Sequence, residues 1–431
     1  MKTGLNIGVI GAGYVGLITG VCLASKGFKV TCWDNDERKI SLINQGKTPI
    51  FEKGLEPLLS KTVGKTFFAE SVSLTPAKLR DFDVVFVCVG TPSALDGSVD
   101  LTQVFSASKL LAQGLKERKE KRVLITVKST VVPGSTEKVK DFLEKETGLK
   151  AGEDFGIAMS PEFLREGLGV EDFFHPDRLV FGVESDEDYS TLSNAFAFAE
   201  CPKIKTDLKT AEMIKYASNA FLATKISFVN ELGNLCKKLG IDSYEVAAGM
   251  GLDSRIGGKF LESGVGFGGS CFPKDVKALV AKFKEENVSP ALLEKTLEVN
   301  ERQPLLLVEM AKEKEGGLKG KKVGVLGLAF KQNTDDMRES RAVPAVNALL
   351  NEGARVIAFD PKAMENAKKI FGSSIEYAEN AREAVEKSDF VFVLTAWDEF
   401  KKKALYGNKR VYAGRRIFEE KSSKNYEGIC W

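Results

Sequence analysis

The sequence has almost no histidine. His175 is the only one in 431 residues, and a proline follows it directly. Ser-His-Asp catalysis or a histidine-rich metal site would have to rest on that one turn residue, so acid–base work falls to Lys, Asp, Glu or Cys. No metal site is expected. The seven cysteines (Cys22, Cys32, Cys88, Cys201, Cys236, Cys271 and Cys430) are scattered and form no CxxC pair. That usage excludes a disulfide framework or a cysteine-ligated zinc and fits a reducing compartment, so a cytoplasmic location is expected. No apolar run approaches the length of a membrane helix. A strand-like run, Leu5–Ile10, begins where a signal peptide would lie, so none is expected. Lys and Arg number 62 against 60 Asp and Glu, with no basic block, so neither nucleic acid nor a membrane surface is an expected partner.

What remains is a chain with 43% apolar residues, long enough for two or three domains. Asn6–Ile10 reads as a short buried strand. Gly11-Ala12-Gly13-Tyr14-Val15-Gly16 follows, then a helical stretch to about Lys26, then Gly27 and a second strand, Lys29–Trp33, ending at Asp34. This is the dinucleotide fingerprint in its context. The first glycine makes the turn, the second lets a pyrophosphate approach, and the third lets helix and strand pack. Asp34 lies 18 residues after Gly16. A carboxylate there accepts hydrogen bonds from the adenosine ribose and repels a 2′-phosphate, so NAD is expected rather than NADP.

Further apolar strands are read at Asp83–Val89, Arg122–Val127 and Gly156–Met159. They end in Gly90-Thr91-Pro92-Ser93, in Lys128-Ser129-Thr130-Val131-Val132-Pro133-Gly134 and in the stretch from Ser160 to Gly167. Ligands of open α/β sheets bind at the carboxyl ends of strands, so these loops are the expected walls of a site. Arg178–Val183 and Lys203–Thr206 complete the sheet. Residues 207–240 contain no proline and read as one long helix, on which Ala211, Lys215 and Asn219 recur every four residues. Helical segments continue to about residue 312, and glycines at 316–320 make a hinge. Then Lys321–Leu326 leads into Gly327-Leu328-Ala329-Phe330-Lys331, Arg355–Phe359 ends at Asp360-Pro361, and Ser388–Thr395 echoes Phe82–Gly90. The expected fold is α/β, with two Rossmann-like doubly wound domains joined by a central helical domain. The expected boundaries are 1–206, 207–315 and 316–431. The second copy lacks the GxGxxG spacing, so it is expected to bind something other than NAD, or to touch NAD only from outside.

The chain is organised around Gly264-Val265-Gly266-Phe267-Gly268-Gly269-Ser270-Cys271-Phe272-Pro273-Lys274-Asp275. Pro273 suits the first position of a helix, and Val276, Leu279, Val280 and Phe283 follow at helical spacing. Cys271 then precedes a helix N-terminus, where unpaired N–H groups favour an anion, and Asp275 lies about one turn on. From these residues alone, a reactive thiol and a glycine-rich turn around an inert cysteine fit equally well. Read singly, Lys215 and Asn219 are a solvated stripe, and Glu162 and Glu166 are charges on a first helical turn.

The order of several blocks lifts this ambiguity. GAGYVG (11–16), GTP (90–92), KSTVVPG (128–134), PEFLREG (161–167), KYASNAF (215–221), GVGFGGSCFPKD (264–275) and FKQNTDDMRES (330–340) together resemble the UDP-glucose/GDP-mannose dehydrogenase family, over nearly the whole chain. The resemblance implies NAD-dependent oxidation of a nucleotide-sugar alcohol to a carboxylate, with UDP-glucose the foremost substrate and GDP-mannose or a UDP-hexosamine as alternatives. A non-catalytic NAD and nucleotide-sugar sensor is a third reading, and it would require loss of the cysteine, lysine or aspartate. The resemblance also implies a homodimer or higher homo-oligomer built on the long helix. It makes Cys271 the nucleophile and Lys215 and Asn219 the pair that stabilises an oxyanion. Asp275 holds the hydrolytic water, with Thr130 and Glu162 in its network. Cofactor contacts are implied at Gly11, Gly13, Tyr14, Val15, Gly16, Asp34, Lys39, Thr91, Thr130, Glu166 and Arg338. Substrate contacts are implied at Glu162, Phe163, Leu164, Lys215, Asn219, Arg255, Phe260, Phe267, Gly268, Phe330, Lys331 and Arg415, with Arg255 reaching across to a partner's site. The glycines of 264–269 are expected to let the backbone lie against the sugar nucleotide. Ala413-Gly414-Arg415-Arg416 lacks the acid that the family often carries there, which leaves Arg415 for a phosphate.

Overall fold

A computed structural model of the chain describes residues 4–72, 81–117, 122–419 and 423–431. The chain forms two compact units, Met1–Ala217 and Ser218–Trp431.

The first unit is built on eight strands: β1 (Asn6–Ile10), β2 (Lys29–Asp34), β3 (Phe67–Ser71), β4 (Val84–Val87), β5 (Leu124–Val127), β6 (Gly156–Met159), β7 (Leu179–Val183) and β8 (Lys203–Thr206). Their order is β3-β2-β1-β4-β5-β6-β7-β8. Neighbours pair in parallel except β6 with β7, which run antiparallel. A parallel sheet is covered on both faces, so its strands are apolar throughout. β4 is VVFV, and all four side chains are buried. Side chains alternate along a strand. Val84 and Phe86 therefore enter one core with Ile7, Val9 and Leu17, whereas Val85 and Val87 enter another with Trp33, Leu111 and Ile125. The helices between strands are α1 (Tyr14–Ser25), α2 (Glu37–Asn44), α3 (Leu55–Thr62), α4 (Thr102–Lys116), α5 (Ser135–Thr147), α6 (Gly169–Phe174) and α7 (Asp186–Ala195). The strand order reverses between β1 and β4, and that switch point is where open α/β sheets take ligands.

The long helix α8 (Leu208–Leu239, 32 residues) begins in the first unit and ends in the second. α9 (Ser243–Gly251), α10 (Phe272–Glu285) and α11 (Ala291–Glu315) follow. Then comes a wholly parallel sheet of β9 (Lys322–Leu326), β10 (Arg355–Phe359), β11 (Glu376–Tyr377), β12 (Phe390–Val393), β13 (Arg410–Ala413) and β14 (Tyr426–Gly428). Its order, β11-β10-β9-β12-β13-β14, repeats that of the first six strands of the other sheet. β12 stands where β4 does, as the echo between Ser388–Thr395 and Phe82–Gly90 requires. The helices of this second Rossmann-like sheet are α12 (Ala342–Asn351), α13 (Met364–Phe371) and α14 (Ala381–Glu386).

Candidate active site

In the first unit each glycine of the fingerprint has a distinct task. Gly11 has φ 100°, and a Cβ there would lie 2.6 Å from the Cys88 carbonyl oxygen. At Gly16 a Cβ would collide with the Gly11 carbonyl, so only glycine lets α1 close on the turn. Gly13, the N-cap of α1, has no atom within 4 Å of its Cβ position. That open space at a helix N-terminus fits the pyrophosphate of NAD. Asp34, at the end of β2, is buried. Its Oδ2 accepts from the Ala12 N–H at 2.7 Å and its Oδ1 from the Asp36 N–H at 2.9 Å. Lys39 Nζ lies 3.7 Å from Oδ2. Thr91 Oγ1 donates to the Thr130 carbonyl at 2.9 Å, which joins the loops after β4 and β5.

The loop after β6 differs from the sequence reading. Residues 161–165 are not helical, and the short helix begins only at Gly169. Glu162 and Glu166 are thus loop residues and not charges on a first helical turn. Glu162 is buried. Its Oε1 accepts from Lys215 Nζ at 3.1 Å, and its Oε2 accepts from the Leu164 N–H. Phe163 lies between two cations, with the Arg178 guanidinium 4.0 Å and Lys215 Nζ 5.4 Å from its ring centre. A buried cation held by one carboxylate and one ring face can stabilise negative charge developing beside it.

Three buried residues of this unit escape sequence reasoning because their partners are remote in the chain. Glu52 accepts from Tyr14 and from the N–H groups of Gly167 and Gly169. Lys128, 4% exposed, donates to the Ser160 carbonyl at 3.3 Å, and its burial lowers its pKa. Glu212 accepts from the Gly134 and Thr136 N–H groups and from the Thr136 hydroxyl at 2.6–2.7 Å. It thereby closes the N-terminus of α5, and burial pushes its carboxyl up to about 7.

In the second unit Cys271 is the N-cap of α10. Phe272 is the first helical residue and Pro273 the second, one place later than the sequence suggests. The Asp275 N–H donates to the Cys271 carbonyl at 2.8 Å, which starts the helix. Asp275, 1% exposed, engages both oxygens: Oδ2 accepts from Asn219 Nδ2 and Oδ1 from Lys274 Nζ, each at 2.6 Å. Cys271 is half-buried, with Ser270 Oγ 3.6 Å from its sulfur. Burial pushes Cys22, Cys88 and Cys430 up to about 12, which leaves them as thiols.

The glycines at 264–269 also answer to the protein's own packing. Their Cβ positions are taken by protein and not left open for a ligand. A Cβ at Gly264 would meet the Gly414 carbonyl at 2.6 Å, and one at Gly269 would meet the Phe330 ring at 2.7 Å. Gly266 faces Asn300, and Gly268 faces the Glu339 carbonyl. Asn300, in α11, clamps Phe267: its Oδ1 accepts from the Phe267 N–H at 2.7 Å and its Nδ2 donates to the Phe267 carbonyl at 3.0 Å. Arg415 donates to the Gly266 carbonyl, and burial lowers its pKa. It supports the loop. Phe272 packs between Phe260 and Phe267, with ring centres 6.0 and 6.1 Å away. Lys331 Nζ sits 5.5 Å above the Phe330 ring. Arg255 and Arg338 are exposed and pair with Asp253 and Asp336.

The comparisons with known proteins agree with one another. Residues 5–199 match the NAD binding domain of the UDP-glucose/GDP-mannose dehydrogenase family, residues 209–302 its central domain, and residues 324–420 its UDP binding domain. The chain is 41% identical over 437 residues to UDP-glucose 6-dehydrogenase AglM of Haloferax volcanii, covering 99% of this chain and 100% of the relative. It is 43% identical over 399 residues to UDP-glucose 6-dehydrogenase YwqF of Bacillus subtilis, covering 92% and 89%. The structure of a UDP-glucose dehydrogenase from the hyperthermophilic archaeon Pyrobaculum islandicum superposes with a TM-score of 0.94 at 40% identity, covering 99% of this chain and 98% of that one.

Proposed function

The chain belongs to the UDP-glucose/GDP-mannose dehydrogenase family, and we propose that it oxidises UDP-glucose to UDP-glucuronate in two steps with two NAD per sugar. Bound NAD supplies the hydride acceptor for each step. The first oxidation turns the C6 alcohol into an aldehyde. The Cys271 thiolate adds to that aldehyde and forms a thiohemiacetal. Loss of hydride from this adduct leaves a thioester on Cys271, and water releases the acid and restores the thiol. Lys215 and Asn219 stabilise the oxyanions, the first as a cation steadied by Glu162 and the second by an amide fixed on Asp275. Asp275, Thr130 and Glu162 serve the hydrolytic water. The observation that carries this reading is Cys271: a half-buried thiol at the N-cap of α10, one turn from a carboxylate anchored by Asn219 and Lys274.

In the same reading, residues 1–206 take the cofactor, 207–315 carry the thiol loop and 316–431 take the nucleotide. Phe163, Leu164, Arg255, Phe260, Phe267, Phe330, Lys331 and Arg415 contact substrate, and Gly268 does so through its backbone. The enzyme works in the cytoplasm as a homo-oligomer. Phe221, Phe228 and Leu235 support this: they recur every seven residues on α8 and are each more than half exposed, an apolar strip suited to a second copy. Among the described residues no helix is long and apolar enough to cross a membrane.

The test is turnover on a panel of UDP-glucose, GDP-mannose and UDP-N-acetylhexosamines, with NADH counted per sugar. The expected result is fastest turnover of UDP-glucose with two NADH each. Faster oxidation of GDP-mannose would overturn the substrate, and tight binding without NADH would overturn the enzyme.

A further inference from the structure

Glu52 lies on the segment between α2 and α3, outside both the fingerprint and the loop after β6, yet it touches both. It is 6% exposed. Its Oε2 accepts from the Tyr14 hydroxyl at 2.6 Å and from the Gly167 N–H at 2.7 Å, and its Oε1 accepts from the Gly169 N–H at 2.8 Å. A carboxylate is costly to bury unless its lone pairs are used, and here donors serve both oxygens. The turn at 167–169 is shaped around this group. Gly167 has φ 81°, and a Cβ at Gly169 would lie 2.5 Å from the Tyr14 hydroxyl oxygen. Burial, with the Glu52 carboxylate beside it, drives the Tyr14 hydroxyl well above the usual tyrosine range, so it stays a donor.

Tyr14 is the first residue of α1, immediately after the open N-cap at Gly13. Five residues before Gly167, on the same loop, Glu162 holds Lys215. We infer that Glu52 is a positioning residue that fixes the 162–169 loop on the dinucleotide turn, so that one carboxylate sets both the cofactor side and the sugar side of the first unit. Tyr14 then acts through its hydroxyl on Glu52 and not on the cofactor. The inference rests on the functional reading above for what the loop binds.

The experiment uses the full chain with Glu52→Gln, Tyr14→Phe and the double variant. NAD affinity is measured by calorimetry without sugar, and kcat and KM are measured for UDP-glucose at saturating NAD. A glutamine must turn its NH2 toward a backbone N–H in either orientation, so it loses at least one of the bonds to Gly167 and Gly169. Glu52→Gln should therefore raise the KM for UDP-glucose and the Kd for NAD by roughly tenfold each, with a smaller change in kcat. Tyr14→Phe keeps the ring and should move both constants the same way by a few-fold. The double variant should be no worse than Glu52→Gln alone, because the two act through one contact. Wild-type constants in Tyr14→Phe and Glu52→Gln, even with lowered Tm, would overturn the inference, and so would effects that multiply in the double variant. If the wild-type chain oxidises no sugar nucleotide, the functional reading fails, and the NAD titration still judges Glu52.

Discussion

Asp34 and Asp360 close the second strand of their respective sheets, and the two carboxylates have opposite fates. Asp34 is the last residue of its strand and Asp360 the first after its own, and each strand pairs in parallel with one that is followed by a glycine of positive φ, Gly11 in one sheet and Gly327 in the other. Each of these glycines donates its N–H to the carbonyl of the residue just before the acid, Trp33 or Phe359, at 2.7 and 2.9 Å. Asp34 holds the N–H groups of Ala12 and Asp36 and faces Lys39. Asp360 accepts from the N–H groups of Leu328, Ala329, Lys362 and Ala363 and from Trp397 Nε1. After Gly11 a helix begins at Tyr14, whereas after Gly327 the next helix begins at Ala342. Strand order is therefore not what makes a dinucleotide site. An acid with spare accepting capacity and a helix N-terminus three residues past the glycine are, and the second sheet has neither.

Four experiments sharpen or break this division between a cofactor unit and a thiol unit. Cys271→Ser should have the largest effect: acid formation falls by at least about a thousandfold while the NAD Kd of the first unit is unchanged. Unchanged two-step turnover would remove the covalent role. Asp360→Asn should come next, lowering stability by about 2–4 kcal/mol in denaturant titration, since an amide must present a donor to a donor in a buried site. Its NAD Kd should stay at the wild-type value, whereas Asp34→Asn should weaken NAD by about tenfold and cost less stability than Asp360→Asn, because Asp34 answers two backbone N–H groups and Asp360 four. Equal effects of the two on NAD would break the comparison. Gly13→Ala should keep the wild-type Tm, because its φ of −76° suits alanine and its Cβ would meet nothing. It should still cost about tenfold in NAD affinity by filling the space for the pyrophosphate. The last effect is on pH dependence. Glu212 titrates near 7 in the fold against an ordinary 4.5. A raised carboxyl contributes stability that is full below the unfolded value and is lost as pH rises through the folded one. Between about pH 5 and pH 7 the first unit should lose about 2 kcal/mol, read by hydrogen exchange in α5, and Glu212→Gln should flatten that slope.

The sequence makes some of this legible and hides the rest for identifiable reasons. GAGYVG and Asp34 are readable because strand, turn, helix and acid are local, and each glycine answers to a neighbour within a short stretch. The second sheet is readable because FVFV and RVIAF are too apolar for anything but covered strands. The Glu162–Lys215 pair spans 53 residues and the Glu52–Gly167 bond spans 115, so no local pattern reveals either. Asp360 looks like the acid of the fingerprint, and only its five donors show that it is structural. The glycines at 264–269 are only half readable, because a missing Cβ says that something is close, not what it is. Here it is Asn300, Phe330, Glu339 and Gly414.

The clamp of Asn300 on Phe267 has a further consequence. One side chain offers one acceptor and one donor to a single residue, as a neighbouring strand would, so an irregular stretch has its geometry dictated from α11. The register of the thiol loop is thus written on a helix outside the loop itself. An isosteric Asn300→Asp change would erase the donor and leave the Phe267 carbonyl unanswered. Turnover could drift in descendants of this chain through α11, with every reacting group left untouched.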